Sequence, residues 1–313
     1  NYIYIHLLYI LNNLLMNNLK DLTVIIVTFK TNEEILFNCL DSIKKEVKIL
    51  LVENSTNQEF KKKIENKYNN VNVILSGKNL GYGGGNNLGL KNTKTRFALI
   101  SNPDVEYNKN FFDEINLYLS GKVNFSVIGP SYNDQTHYLP YGSFDLSPNH
   151  NKFDEFNLKE VDFVIGCSML FDTKNINTEF YFDENFFLYF EEADLCRRIK
   201  LMNGKVFCSS NLLINHLGHK GSAATDPQYS IETEMFRNWH WMWSAFYYKK
   251  KYTNYFYAFF SLFGKFIRSF IKMIFFTVIY NKKKQTMYYA RFSGLLNSMI
   301  GKKSWYRVKS LFD

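Results

Sequence analysis

Residues 22–55 read LTVIIVTFKTNEEILFNCLDSIKKEVKILLVENS. The segment opens on an apolar, β-branched run at 22–29, the pattern of a strand covered on both faces. Thr31-x-x-Glu34 then has the form of a capping box. Ile35, Leu36, Cys39, Leu40 and Ile43 follow at helical spacing. A second apolar run at 48–53 predicts another strand, so the stretch reads as strand, helix, strand. The same alternation continues outward, with a polar helix over 57–68, a strand at 71–75, a glycine-rich loop, a short helix near 86–92 and a strand at 97–101. Such alternation predicts an α/β fold with a mostly parallel central sheet and helices on both faces. From 110 to 180 the pattern is mixed, with a helix near 110–119, a strand near 125–129 and an apolar strand at 161–171. The polar stretch 131–160 reads as an insertion over the sheet edge. No internal repeat is present.

The net charge of +9 conceals two halves. Residues 236–313 carry 15 lysines and arginines against one acid, Asp313, a net of +14; residues 1–235 carry 23 against 28, a net of −5. A mildly acidic body therefore precedes a strongly basic tail, which calls for a polyanionic partner. Cys39, Cys167, Cys196 and Cys208 form no C-x-x-C pair. They predict core filler in a reducing compartment rather than a zinc or disulfide framework. The chain opens on Asn1, and residues 2–11 are apolar but too short to span a bilayer and lack a basic lead. Met16 is the expected start, with residues 1–15 an extension of the gene model. The expected divisions are 1–19 as an N-terminal extension, 20–231 as the catalytic body, and 232–313 as a helical tail.

Within that tail, residues 255–280 are apolar and aromatic, yet Lys265, Arg268 and Lys272 fall on one face in the middle. Charges there are costly for a spanning helix but suit an amphipathic helix lying in the membrane interface. Lys249–Lys251 and Lys282–Lys284 bracket the segment as a polybasic anchor to anionic lipid would. The bland alternative is a buried helix of the globular body. No nucleic-acid motif accompanies the basic residues, so nucleic acid is not an expected partner.

Ligands of open parallel sheets bind at the C-terminal strand ends. Thr28 and Phe29 follow the first strand, and Glu53 and Asn54 close the second. After the third comes NLGYGGGNN at 79–87, and after the fourth Asn102-Pro103-Asp104. The glycine loop fits neither the Walker nor the G-x-G-x-x-G pattern. It reads as a turn before a helix, or as a place for close approach to a phosphate or sugar. Further on, FFLYFEEADLCRR at 186–198 sets four aromatic residues against three carboxylates, Glu191, Glu192 and Asp194. Apolar surroundings make carboxylates harder to ionise, as a general base near neutral pH requires. The competing reading is a solvated helix start, with Asp194 pairing to Arg198 one turn on. Glu191 and Asp194 share a helix face while Glu192 points elsewhere, so one of these sets is expected to line the cleft.

Taken together, VIIVTFK at 24–30, LVENS at 51–55, NLGYGGGNNLGL at 79–90, SNPDVEY at 101–107, DFVIGCSMLF at 162–171 and the run from Phe182 to Gly204 resemble family 2 glycosyltransferases of the GT-A fold. With the late His216, they are similar in particular to the bacterial rhamnosyltransferase-like branch of surface-polysaccharide synthesis. The resemblance covers roughly residues 20–222. It implies that Thr28, Phe29, Glu53, Asn54, Asn79, Gly81, Asn102 and Asp104 hold the nucleotide of the donor. It puts Asp104 at the last position of the family's D-x-D, which binds Mg²⁺ or Mn²⁺ on the sugar diphosphate. Asn102 replaces the first acid, so one anionic ligand is missing. His216 matches a position that completes metal coordination in relatives, with His219 as rival and a structural histidine as the alternative. Glu192 matches the inverting enzymes' general base, with Glu191 and Asp194 as adjacent alternatives, and Phe187–Phe190 form an apolar wall near the acceptor.

The implied reaction is inverting transfer of rhamnose or a hexose from a UDP- or dTDP-linked donor to a lipid-linked or growing glycan. With the basic tail, the expected place is the cytoplasmic face of the membrane, held peripherally. Two other readings stand beside it. An inactive membrane-bound scaffold is suggested by Asn102, and a nucleotidyltransferase by the shared topology.

Overall fold

A computed structural model describes residues 18–132, 141–142, 153–176, 181–218 and 230–307. The expected start at Met16, most of the insertion at 131–160, and His219 lie outside these residues. A short 3₁₀ turn leads into β1 (Leu22–Thr28). β1 is buried along nearly its whole length. Its period of two sends Val24 and Ile26 into one core and Ile25 into the other. Helix α1 (Glu33–Asp41) begins one residue later than the capping box suggests. Asn32, in extended conformation, accepts from the Ile35 amide at 3.2 Å, while the Thr31 hydroxyl accepts from the Phe29 amide.

β2 (Lys48–Glu53), α2 (Gln58–Lys67), β3 (Val71–Leu75), α3 (Gly81–Asn92) and β4 (Phe97–Ser101) complete the alternation. β3, β2, β1 and β4 lie side by side in that order, and all are parallel. The glycine stretch expected as a loop is instead the first half of α3. A Cβ on Gly89 would stand 2.4 Å from Ile25 Cγ2, and one on Gly85 2.7 Å from Val27 Cγ1. These glycines let the helix lie directly on β1, a packing need rather than a ligand cradle.

Beyond β4 the sheet becomes mixed. β5 (Val105–Tyr107), α4 (Phe111–Leu119) and β6 (Val127–Tyr132) are followed by β7 (Tyr141–Gly142), β8 (Leu158–Glu160), β9 (Phe163–Val164) and β10 (Ser168–Asp172). Helix α5 (Glu191–Leu201) and the long β11 (Val206–His216) close the body. The order runs β3-β2-β1-β4-β10-β6-β11-β5, with β8 against β11 and a separate pair β7-β9. β10 is antiparallel to both β4 and β6, whereas β6 and β11 are parallel. The single strand expected at 161–171 is divided, because Ile165–Cys167 turns aside: the Tyr82 hydroxyl donates to the Gly166 carbonyl, and the Cys167 carbonyl accepts from the Asn102 amide. All four cysteines are buried free thiols.

The tail forms three helices: α6 (Ser230–Tyr252), α7 (Tyr255–Val278) and α8 (Lys282–Met299). The boundary expected at 231/232 falls in the first turn of α6. At the α6–α8 crossing, a Cβ on Gly294 would meet the Trp239 carbonyl oxygen at 2.3 Å. On α7, Ala258, Leu262 and Ser269 face inward, while Phe256, Phe260, Ile271 and Val278 are exposed. Lys272 donates to the Tyr288 hydroxyl on α8. No described helix is long and apolar enough to cross a membrane. Lys251, expected in a lipid-facing cluster, turns inward. Its Nζ lies 2.7 Å from Asp183 Oδ2 and 2.6 Å from Asp194 Oδ1.

Candidate active site

Parallel pairing aligns the strand tips at one edge. Thr28 sits opposite Glu53 in the β1–β2 register. The Thr28 hydroxyl donates to Glu53 Oε2 at 2.5 Å. Burial raises the Glu53 carboxyl above its ordinary range, and hydrogen bonds from Ser55 and Thr28 oppose the rise. Glu53 is 5% exposed and stands behind Thr28 rather than in the cavity wall. Asn54 Nδ2 donates to the Gly81 carbonyl at 3.1 Å, and Asn79 Oδ1 accepts from the Gly81 amide at 2.8 Å. These bonds tie the β2 tip to the left-handed turn at Gly81, where φ is +77°.

Asn102, Pro103 and Asp104 form the turn between β4 and β5. β5 pairs with the end of β11 in a register that sets His216 opposite Val105. The Leu217 amide donates to the Asp104 carbonyl at 3.0 Å. His216 Nε2 consequently lies 3.4 Å from Asp104 Oδ1, with the Tyr132 ring stacked on the imidazole. No group of three or more His, Cys, Asp or Glu side chains among the described residues is arranged to hold a metal. Asp104 and His216 supply one carboxylate and one imidazole, an incomplete shell by themselves. That donor set fits a divalent ion that takes its remaining ligands from phosphate oxygens and water, as Mg²⁺ commonly does.

The third component is the start of α5. Tyr189 and Phe190 both take left-handed φ values, 70° and 71°. Such conformations are costly in non-glycine residues and persist where surroundings hold them. Here α6 holds them: Trp241 packs edge-on to Tyr189 and tilted on Phe190, Tyr248 covers Phe190, and Ser244 donates to the Leu188 carbonyl at 2.9 Å. The turn delivers Glu191 and Glu192 together to the cavity, because the cavity lies over the end of the helix rather than along one side. The expected partition of faces is thus replaced by another. Asp194 points away, taking Arg198 Nε at 2.8 Å, Lys251 Nζ and the Tyr252 hydroxyl.

Glu191 is 3% exposed, and its Oε2 has no hydrogen-bond partner among the described residues. Burial pushes its carboxyl well above the usual range, and the neighbouring Glu192 charge adds to this. Burial also raises Glu192, which is half-buried and reaches the cavity. Two adjacent carboxyls in an apolar wall are hard to ionise together.

The cavity has a volume of about 390 Å³, a size suited to a small ligand. Of the expected site residues, Thr28, Phe29, Asn54, Asn79, Gly81, Asn102, Asp104, Glu191, Glu192 and His216 all line it. Glu53 and Asp194 do not. Phe187, Leu188 and Tyr189 form part of the wall, whereas Phe190 turns to α6. Tyr82, Thr233, Phe236 and Arg237 also line it and were not foreseen. Three of these belong to α6, in the segment read as a tail. The one sequence signal was Arg237 itself, isolated among aromatic residues and well ahead of Lys249.

The family model for glycosyl transferase family 2 matches residues 23–180, half of the chain. The chain belongs to glycosyl transferase family 2. This family 2 chain is 29% identical over 202 residues to the low-salt glycan biosynthesis hexosyltransferase Agl10 of Haloferax volcanii. The alignment covers 59% of the chain and 63% of that relative's length, so the chain spans less than two thirds of it. The mannosyltransferase PcManGT from Pyrobaculum calidifontis, solved with GDP-Man and Mn²⁺, aligns at TM-score 0.55 and 9% identity, over 90% of this chain and 88% of that one. GalNAc-T7, solved with UDP, GalNAc and Mn²⁺, aligns at TM-score 0.51 and 13% identity, over 71% of this chain and 50% of that one. The fold of the family 2 chain is therefore GT-A.

Proposed function

We propose that this family 2 member transfers a hexose from a nucleoside diphosphate sugar to a glycan acceptor, with inversion at the anomeric carbon. One observation carries the reading: a single cavity gathers the glutamates of α5, the polar strand tips and the Asp104–His216 pair. Glu192 takes the proton from the acceptor hydroxyl. That oxygen attacks the anomeric carbon, and the bond to the nucleoside diphosphate breaks on the opposite face. Glu191, the more enclosed carboxyl, keeps its proton and spares the pair a second charge. Thr28, Phe29, Asn54, Asn79, Gly81 and Asn102 receive the nucleotide, with Glu53 orienting Thr28 from behind. Asp104 and His216 would hold Mg²⁺ or Mn²⁺, which when bound offsets the charge of the departing diphosphate.

The hexose assignment is supported by the similarity to the Haloferax hexosyltransferase. Rhamnose, with a UDP- or dTDP-linked donor, and a lipid-linked acceptor in surface-glycan synthesis are the finer form of the same reading. Asn102 in place of an acid favours one rival, an inactive scaffold, and turnover decides between them. In a screen of nucleotide sugars with and without Mn²⁺, the parent chain should release nucleoside diphosphate with transfer. Glu192→Gln should lower that turnover by about 10²–10⁴-fold while leaving donor binding by thermal shift intact. Full activity in the variant would overturn the assignment of the base.

The exposed apolar face of α7 supports a second element of the proposal, peripheral attachment at the cytoplasmic face of an anionic membrane. The face is flanked by exposed Lys250 and Lys282–Lys284, the charge that anionic headgroups attract.

A further inference from the structure

Arg237 stands in the cavity wall without a counter-ion among the described residues. It is half-buried, and among the described residues it makes no hydrogen bond or ion pair. The other tail cations with some burial have found partners. Arg291 donates to Asn238 Oδ1, Arg307 lies over the Phe187 ring, and Lys251 bridges two aspartates. The acid nearest in sequence, Glu234, accepts from Asn238. A guanidinium partly withdrawn from water and left unpaired is costly, so a wall that keeps one is built for an anion that arrives.

Its position identifies the side of the cavity. Burial pushes the Tyr189 phenol up to about 12, and Arg237 is the largest charge opposing that rise. Trp241, one turn after Arg237 on α6, packs on the Tyr189 ring, so Arg237 and Tyr189 share the side of the wall formed by the loop leading into the glutamates. Tyr189 also lines the cavity, and its hydroxyl has no hydrogen-bond partner among the described residues. A planar fork of N–H donors beside a phenolic hydroxyl matches a tetrahedral oxyanion.

Resting on the transferase reading above, we propose that Arg237 and Tyr189 form a subsite for a phosphate group carried by the acceptor, separate from the site of the donor diphosphate. The acceptor would then be a phosphorylated or diphosphate-linked glycan, with its hydroxyl presented to Glu192 while its phosphate is held from α6.

The test uses the full chain and calorimetric titration with inorganic pyrophosphate, in the presence of saturating UDP or GDP. The parent should bind pyrophosphate with the nucleotide in place. Arg237→Gln should weaken that binding about tenfold or more, and Tyr189→Phe less, with nucleotide affinity changed under twofold. Arg237→Lys, which keeps the charge, should recover part of the loss, and unchanged melting temperatures would show that the variants fold. Outright competition between pyrophosphate and nucleotide would overturn the proposal by assigning Arg237 to the donor. So would parallel loss of both affinities in Arg237→Gln, or no loss of either. If neither nucleotide binds, the transferase reading fails instead, while pyrophosphate binding dependent on Arg237 is still measurable.

Discussion

Glu191 and Glu192 are neighbours with different surroundings, and that difference sets their chemistry. Glu192 meets the cavity; Glu191 is more enclosed, with one oxygen unpartnered among the described residues. The folded-state carboxyl of Glu191 is raised above its ordinary value of 4.5, so the native state holds that proton longer than the unfolded chain. Stability from this residue is present at low pH and falls as pH rises through the raised value. Glu191→Gln should therefore melt higher than the parent at pH 8, with the gap closing as pH falls below about 4. A variant less stable than its parent at pH 8 would contradict the buried, protonated state. The acidic cluster was legible in sequence because aromatic bulk stood directly before it. The fate of Asp194 was not, since its partner Tyr252 lies 58 residues away. Glu53 shows the same limit: its place at a strand tip was readable, but its turn behind Thr28 depends on side-chain packing.

Among the elements, the parallel strands were the clearest, because strands covered on both faces spell themselves in β-branched runs. The antiparallel half was obscure, as β7, β8 and β9 are only two or three residues long. Helix α3 was half-hidden because its glycines, which signal a turn locally, serve close contact with β1. The same logic operates at the α6–α8 crossing. Gly294→Ala should push the helices apart and lower stability by about 1–3 kcal/mol, read by thermal unfolding. No change would mean that the crossing relaxes freely. Because α6 also walls the cavity, the variant should lose some transfer activity as well.

Across the whole molecule, charge asymmetry was visible in composition, and so was the amphipathic pattern of α7. What composition could not show is that the basic helices are continuous with the site. The expectation for α7 is nonetheless specific. Phe256 and Phe260 are 70% and 72% exposed, and both lie on its outer face. Replacing both by serine should weaken binding to anionic phosphatidylserine-containing vesicles by about tenfold or more, since each buried Phe contributes about 1.5–3 kcal/mol. Turnover on a water-soluble acceptor should be retained. Equal sedimentation of parent and variant with vesicles would remove α7 as the contact surface.

The left-handed pair Tyr189–Phe190 has a consequence for engineering. Its shape is borrowed from Trp241, Ser244 and Tyr248 rather than encoded locally. Body and tail therefore cannot be exchanged as modules. A chimera that takes its last eighty residues from another family member would inherit the glutamates yet misaim them, unless the incoming helix reproduced those three contacts. Conversely, grafting α6 along with the loop from Phe186 to Phe190 moves those contacts together, and that pair of segments is the natural seam for redesigning acceptor choice.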